Sequence, residues 1–320
     1  MKRFIYGGAA MLVLCVLIAG IAEYPHCSSL PFRGILAFKS AHAACNKVVP
    51  GKNGWLFLQP ELDYVVHPLP QENVRLIADF SRTLAAHGIT LYVTPIPTKI
   101  EVYPESLTTI AAPYPVCRSR EQFLHDLRLA GVKVIDVLPA LVNAKSSRPV
   151  FDPYESHWTS AGIVAAAEAI ASAIDSGLTA RRVSRAARYT VHDTVLQGCA
   201  DLPERFKGDG KAFWYPTPVK QVLNPGGKPY ADDRKSKILI LGDSFVNHGR
   251  SWSVNLGAHL AHLIGHSTRT YCSLLANTEG PSMYSRFPTI FPQNGIVIWA
   301  FASRVLQYPM CSKPGSGTRI

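Results

Sequence analysis

Four consecutive apolar residues, Ile238-Leu239-Ile240-Leu241, lie between Lys237 and the tetrapeptide Gly242-Asp243-Ser244-Phe245. A short apolar run with abrupt polar boundaries reads as a strand buried on both faces, and such strands belong to parallel sheets covered by helices. The turn after it places Ser244 at the carboxyl end of the strand, where open α/β sheets bind ligands. Gly242 permits a tight turn and close approach of another chain. Ser244 can therefore offer a hydroxyl nucleophile, and its own N–H can serve as an oxyanion donor.

A partner for that serine lies upstream. Glu155-Ser156-His157-Trp158 precedes Thr159-Ser160 and an alanine-rich stretch that runs from Ala161 to Ile174. Thr159 or Ser160 suits an N-cap and Gly177 a helix stop, so the pattern predicts a helix from Thr159 to about Asp175, with His157 in the loop before it. A carboxylate two residues before a histidine can turn back onto the imidazole. This makes Glu155, His157 and Ser244 a candidate acid–base–nucleophile set, with Asp152 as the fallback acid. The competing structural reading is that His157 caps or packs and Ser244 is an ordinary turn residue.

The rest of the chain alternates in the same way. Helical spacing over Val74–Ala86 is followed by an apolar stretch at Ile89–Val93. A helix pattern over Arg118–Leu129 leads into Val132–Val137, and one over Ser253–Ile264 leads into a strand near Arg269–Leu274. A last strand is expected at Ile296–Phe301. This alternation predicts an α/β fold, a three-layer α/β/α sandwich with a mainly parallel sheet and right-handed crossovers. Residues 178–235 break the rhythm. They are basic and rich in Gly and Pro, and they read as an irregular insertion of short strands and loops placed to cover the site.

Taken together, these segments resemble the alginate O-acetyltransferase branch of the SGNH-hydrolase superfamily. The likeness rests on the strand-Gly-Asp-Ser block and the acid-x-His-Trp block. It also rests on Gly51-Lys52-Asn53-Gly54-Trp55-Leu56-Phe57-Leu58, which looks like the family's opening strand, and on Pro95-Ile96-Pro97-Thr98-Lys99 with Val102-Tyr103-Pro104-Glu105. Glu279-Gly280-Pro281 and Val297-Ile298-Trp299 with Arg304 complete it. The order matches over about residues 47–308, with the histidine block ahead of the serine block, a circular permutation of ordinary SGNH enzymes. The resemblance implies an O-acetyltransferase acting on an exported polysaccharide, with Ser244, His157 and Glu155 as its triad. It also implies a membrane-bound O-acyltransferase as acetyl supplier. Gly280 and Asn277 follow a strand end and are candidate oxyanion donors; Lys99, Tyr103 and Arg304 are candidate substrate contacts. Three departures stand out. Glu155 replaces the family's usual Asp, Ala300 stands where an acid is common, and the chain ends soon after the last strand. A carbohydrate acetyl esterase and a noncatalytic polysaccharide-binding assembly subunit are the alternative readings.

Location follows from the amino terminus. Met1-Lys2-Arg3 precedes a charge-free run from Phe4 to Ala22, long enough to span a bilayer, so residues 1–22 read as a signal anchor or signal peptide. Residues 23–46 then form a linker, and residues 47–320 the domain. That places the bulk in the periplasm, anchored to the inner membrane, or secreted if the signal is cleaved. Six cysteines outside the run (Cys27, Cys45, Cys117, Cys199, Cys272 and Cys311) would meet an oxidising compartment and are expected to form at least one disulfide. The formal net charge of +11 favours an acidic partner such as an anionic polysaccharide or lipid headgroups. No nucleic-acid motif is present, and no cofactor motif is found. His259, His262 and His266 share a helix face but have no neighbouring acid or Cys, so no metal site is assigned to them.

Overall fold

The computed structural model describes residues 30–42, 47–180, 188–207, 211, 213–273, 277 and 279–310. The Phe4–Ala22 run, Cys27, Cys45 and Cys311 lie outside the described residues. No helix among the described residues is long and apolar enough to cross a membrane.

Among the described residues, nine strands form three sheets. Strands β1 (Val48–Pro50) and β2 (Leu56–Leu58) make a small antiparallel ribbon. The central sheet holds β3 (Thr90–Ile96), β4 (Lys133–Val134), β7 (Ile238–Gly242), β8 (Arg269–Cys272) and β9 (Ile296–Ala302) in the order β4-β3-β9-β7-β8. Every pair in it is parallel. Between them in sequence, β5 (Thr190–Ala200) and β6 (Phe213–Leu223) form a separate antiparallel hairpin.

Crossover handedness produces the layers. From β3 the chain passes through helix Arg118–Leu129 to β4 on one side; from β7 it passes through helix Leu256–Ile264 to β8 on the other. Right-handed crossovers that run in opposite directions put their helices on opposite faces. Helix Gln71–Ala86 packs with the first of these helices and helix Ser160–Ala180 with the second, giving α/β/α. Both β7 and β9 are buried along their whole length, as strands covered on two faces must be. Burial of each large apolar side chain there stabilises the fold by roughly 1.5–3 kcal/mol.

Several boundaries differ from the sequence reading. The helix after His157 runs past Gly177 to Ala180. Thr159 does cap it, its hydroxyl accepting from Gly162 N–H at 3.2 Å. The block 51–58 is a turn and the second strand of a ribbon, not one strand, because Gly51 N–H donates to the Trp55 carbonyl at 2.7 Å and reverses the chain. The insertion is the largest correction. In place of short strands it contains a hairpin in full register over eleven pairs. Pro216 and Pro218 oppose Gln197 and Val195 in this two-stranded ribbon. Both prolines have the same parity, and an outward-facing position in an edge strand needs no N–H donor.

Cys117, Cys199 and Cys272 are free thiols, Cys117 in the core and the other two exposed. No bridge joins the described cysteines, so any disulfide would have to involve the segments beyond them.

Candidate functional site: a serine, a histidine and two carboxylates

The nucleophile turn is held by the core. At Gly242, an added Cβ would lie 1.8 Å from the Ala300 carbonyl oxygen of β9 and 2.7 Å from Val246. Close strand packing, more than turn geometry, thus requires glycine here. Buried Asp243 accepts from Phe245 N–H at 3.0 Å and from Ala302 N–H at 2.9 Å. Those two bonds tie the turn to the end of β9, and burial pushes the Asp243 carboxyl up. Ser244 then opens the short helix Ser244–Asn247, where a first-turn N–H has no acceptor within the helix.

The histidine loop is clamped from three sides. Phe151 and Trp158 pair across it as an isolated antiparallel bridge, and Trp158 is fully buried, its ring 5.5 Å from that of Phe245. The Tyr103 hydroxyl accepts from Val150 N–H at 3.0 Å. The Lys99 ammonium donates to the Leu56 carbonyl at 2.9 Å and reaches the Pro153 carbonyl at 3.5 Å, lying over the rings of Trp55 and Phe57. Only 1% of Lys99 is exposed, and burial lowers its pKa to about 8. Lys99 and Tyr103, expected on the sequence to contact substrate, are therefore supports of the loop that carries Glu155 and His157. Arg304 likewise lies over the Phe245 ring and pairs with buried Glu61 at 3.6 Å.

These supports bring the three expected residues together. His157 Nε2 lies 2.8 Å from Ser244 Oγ, and His157 Nδ1 lies 2.6 Å from Glu155 Oε1. Asp152 is engaged elsewhere, accepting from Tyr154 N–H at 2.7 Å. Burial lowers His157 to about 4, leaving the imidazole neutral and ready to accept a proton. Burial, followed by the nearby Asp201 charge, raises Glu155 to about 7. Burial therefore disfavours charge on both Glu155 and His157.

Two neighbours escaped the sequence reading. Asp201, at the end of β5, donates its N–H to Glu155 Oε2 at 3.2 Å. Its carboxylate accepts from Ser156 N–H and Ser156 Oγ, both at 2.8 Å. Burial alone would raise Asp201, but the Ser156 bonds and Arg205 outweigh it and hold the carboxyl low. His248 stacks on His157, ring centroids 4.8 Å apart and 9° from parallel. A signal for His248 existed, because i and i+4 from Ser244 share a helix face. No linear pattern joined Asp201 to Glu155.

Glu155, His157 and His248 offer ligand atoms within 4.8 Å of one another and form the one set among the described residues that could hold a metal. Both His157 nitrogens are already engaged, one by Glu155 and one by Ser244. In the histidine set on the other helix, His262 bonds the Tyr189 carbonyl at 2.8 Å and His259 is buried. Gly280 rests against the Trp299 ring, and its N–H is directed to the Asn277 carbonyl at 3.5 Å. No hydrogen bond among the described residues joins Gly280 or Asn277 to the triad.

The geometry sets a serine, a histidine and a carboxylate within hydrogen-bond distance of one another at the end of a parallel α/β sheet. Residues 48–266 match the family of the SGNH hydrolase-like domain, acetyltransferase AlgX, and the chain belongs to that family. It is 30% identical over 223 residues to the probable alginate O-acetylase AlgJ of Pseudomonas aeruginosa, an alignment covering 63% of this chain and 56% of that protein. The AlgJ of Pseudomonas putida is 33% identical over 138 residues, 40% of this chain and 34% of that protein. The chain thus spans between a third and just over half of these relatives. Among solved structures, the O-acetyltransferase domain of Pseudomonas putida AlgJ superposes with a TM-score of 0.63 at 23% identity, over 85% of this chain and 95% of that one. AlgX of Pseudomonas aeruginosa gives 0.58 at 17% identity, over 81% and 66%. These two likenesses establish the fold.

Proposed function

We propose that the chain is an O-acetyltransferase acting on an exported polysaccharide through an acetyl-serine intermediate. One observation carries the reading: the continuous line Ser244 Oγ–His157 Nε2–Glu155 Oε1, with separations of 2.8 and 2.6 Å. Family membership supplies the acyl group, and the relatives' names supply the substrate class.

In this reading His157 removes the Ser244 proton as Oγ attacks the carbonyl carbon of an acetyl ester. The resulting imidazolium is stabilised by Glu155. Collapse of the tetrahedral intermediate expels the donor alcohol, which takes the proton from His157, and leaves acetyl-Ser244. A sugar hydroxyl then repeats the sequence in reverse, with His157 taking its proton and later returning one to Ser244 Oγ. Ser244 N–H is the first oxyanion donor. The Asn277 side-chain amide and Gly280 N–H are the candidates for the second donor. Gly280 N–H is already directed at Asn277.

Export and anchoring by residues 4–22, and acetyl supply by a membrane-bound O-acyltransferase, belong to the same proposal. The test is transfer itself. The chain is incubated with a chromogenic acetyl ester, with and without acidic and neutral polysaccharides, and polymer-bound acetyl is measured. Acetylated polymer formed by the wild type and not by Ser244→Ala is the expected result. Release of acetate alone, unchanged by any polymer, would contradict transferase activity and favour an esterase.

A further inference from the structure

The two edges of the inserted hairpin are finished differently. In an antiparallel pair, the N–H and C=O groups of every second residue point away from the partner strand. Pro216 and Pro218 have no N–H to give to the ladder, so they and the residues of the same parity, Lys220 and Val222, turn their backbone groups to the outer edge of β6. Their opposite numbers Gln197, Val195, Asp193 and Val191 then turn theirs to the outer edge of β5. On the β6 side these positions are settled one by one. The two prolines lack a donor, Lys220 N–H donates to Ser160 Oγ at 2.9 Å, and Val222 N–H donates to the Ser253 carbonyl at 2.9 Å. The Val222 carbonyl accepts from Tyr230 N–H at 2.9 Å.

On the β5 side only the approach to the strand is tied down, where His262 bonds the Tyr189 carbonyl. From Asp193 through Val195 and Gln197 to Cys199, no hydrogen bond among the described residues reaches the outward N–H and C=O groups. All four residues are exposed. Prolines blunt the edge of β6, and β5 has none. An open row of backbone donors and acceptors is the template by which a sheet takes up another strand.

The occupant must be extended polypeptide, and a second β5 fits. Run antiparallel to itself about a twofold axis, the strand offers the same groups at the same spacing. Thr194-Val195-Leu196-Gln197-Gly198-Cys199-Ala200 contains no acidic or basic residue, with Asp193 and Asp201 at its two ends. Charge therefore limits the register. Setting Val195 opposite the partner's Gln197 places Asp193 opposite the partner's Cys199, whereas a register centred on Asp193 would oppose two carboxylates. A two-stranded ribbon is marginal in water, and two ribbons joined along β5 make a four-stranded sheet. The face they would share already carries Val195 and Trp214, 60% and 61% exposed.

We infer that the chain dimerises through the outer edge of β5, two hairpins joining into one four-stranded antiparallel sheet. The inference is independent of the transferase reading, because assembly is measured with no substrate present. Sedimentation of the full chain in a neutral detergent reads it, the wild type being expected at twice the protein mass of one 35.0 kDa chain. Gln197→Pro removes an outward N–H without touching a bond inside the hairpin, and Gln197→Lys sets a charge on the edge. Both are expected at the mass of one chain, while Gln197→Thr, which leaves the edge open, stays dimeric. Far-ultraviolet circular dichroism equal to that of the wild type checks that the hairpin survives, and Gln197→Lys alone carries the test where the proline variant departs from it. A wild type that sediments as a single chain would overturn the inference. So would a dimer that persists in a folded Gln197→Pro or in Gln197→Lys, since the contact would then lie elsewhere, and so would loss of the dimer in Gln197→Thr.

Discussion

The central sheet and the inserted hairpin meet at the same histidine but are built by different physics. The sheet positions Ser244 from within: β7 and β9 are buried throughout, and Asp243 bonds the nucleophile turn to the strand beside it. The hairpin reaches the site from outside. Most of its strand residues are exposed or half-buried, Trp214 being 61% and Val195 60% exposed. At the end of its first strand Asp201 holds Glu155 and Ser156 by hydrogen bonds. Nucleophile placement is therefore a property of the core, and placement of the acid is adjustable from the insertion. Glu155 has one methylene more than the Asp usual in the family, and the Asp201 N–H on its second oxygen fixes how that longer side chain lies.

The strongest challenge to this division falls on the sheet side. Ser244→Ala removes one oxygen from an intact turn, so ester turnover should fall by orders of magnitude with the thermal midpoint unchanged. Substantial remaining turnover would remove Ser244 from its assigned role. Glu155→Gln should also reduce kcat by orders of magnitude through loss of tautomer control, while Glu155→Asp retains activity and Asp152→Asn resembles the wild type. A stronger defect at Asp152 would reverse the assignment.

The pH profile sharpens the second comparison. Activity requires an unprotonated Glu155–His157 pair, so it should rise with pH through an acid limb belonging to the pair. Ionised Glu155 favours the imidazolium. Removing that charge in Glu155→Gln lowers the histidine still further below its already depressed value of about 4, so the limb should move to lower pH as the plateau drops. Movement of the limb to higher pH would break the account.

On the hairpin side, the effects should be smaller. Asp201→Ala keeps the backbone N–H bond to Glu155 but removes the carboxylate that holds Ser156 between Glu155 and His157, and about a tenfold loss in kcat is expected, equivalent to about 1.4 kcal/mol. Loss equal to that of Glu155→Gln would make Asp201 part of the triad instead of its support. Stability should separate the regions too. Ile240→Ala, in a fully buried strand, should cost about 2–5 kcal/mol in denaturant titration. Val195→Ala, exposed on the hairpin, should stay within about 0.5 kcal/mol of the wild type.

What the sequence revealed follows the same boundary. Apolar runs made β7 and β9 legible nearly to the residue, because a strand buried on both faces has no solvent side to interrupt its pattern. Acid-x-His spacing identified Glu155 because the contact is local. The support that Lys99 gives this loop was not legible, because a buried lysine held by two carbonyls looks, in one dimension, like any basic residue on a loop. Asp201 was invisible, since its partner lies 46 residues away, beyond a long helix and the first strand of the hairpin.

The most direct measurement of the central claim is peptide mass spectrometry of the chain quenched during turnover of an acetyl ester. The account predicts one acetyl group on the peptide containing Ser244 in the wild type. It predicts none in His157→Ala, whose serine lacks a base, or in Ser244→Ala. Acetyl found on another residue, or turnover with Ser244 unmodified under conditions that trap an acetyl-serine, would contradict it.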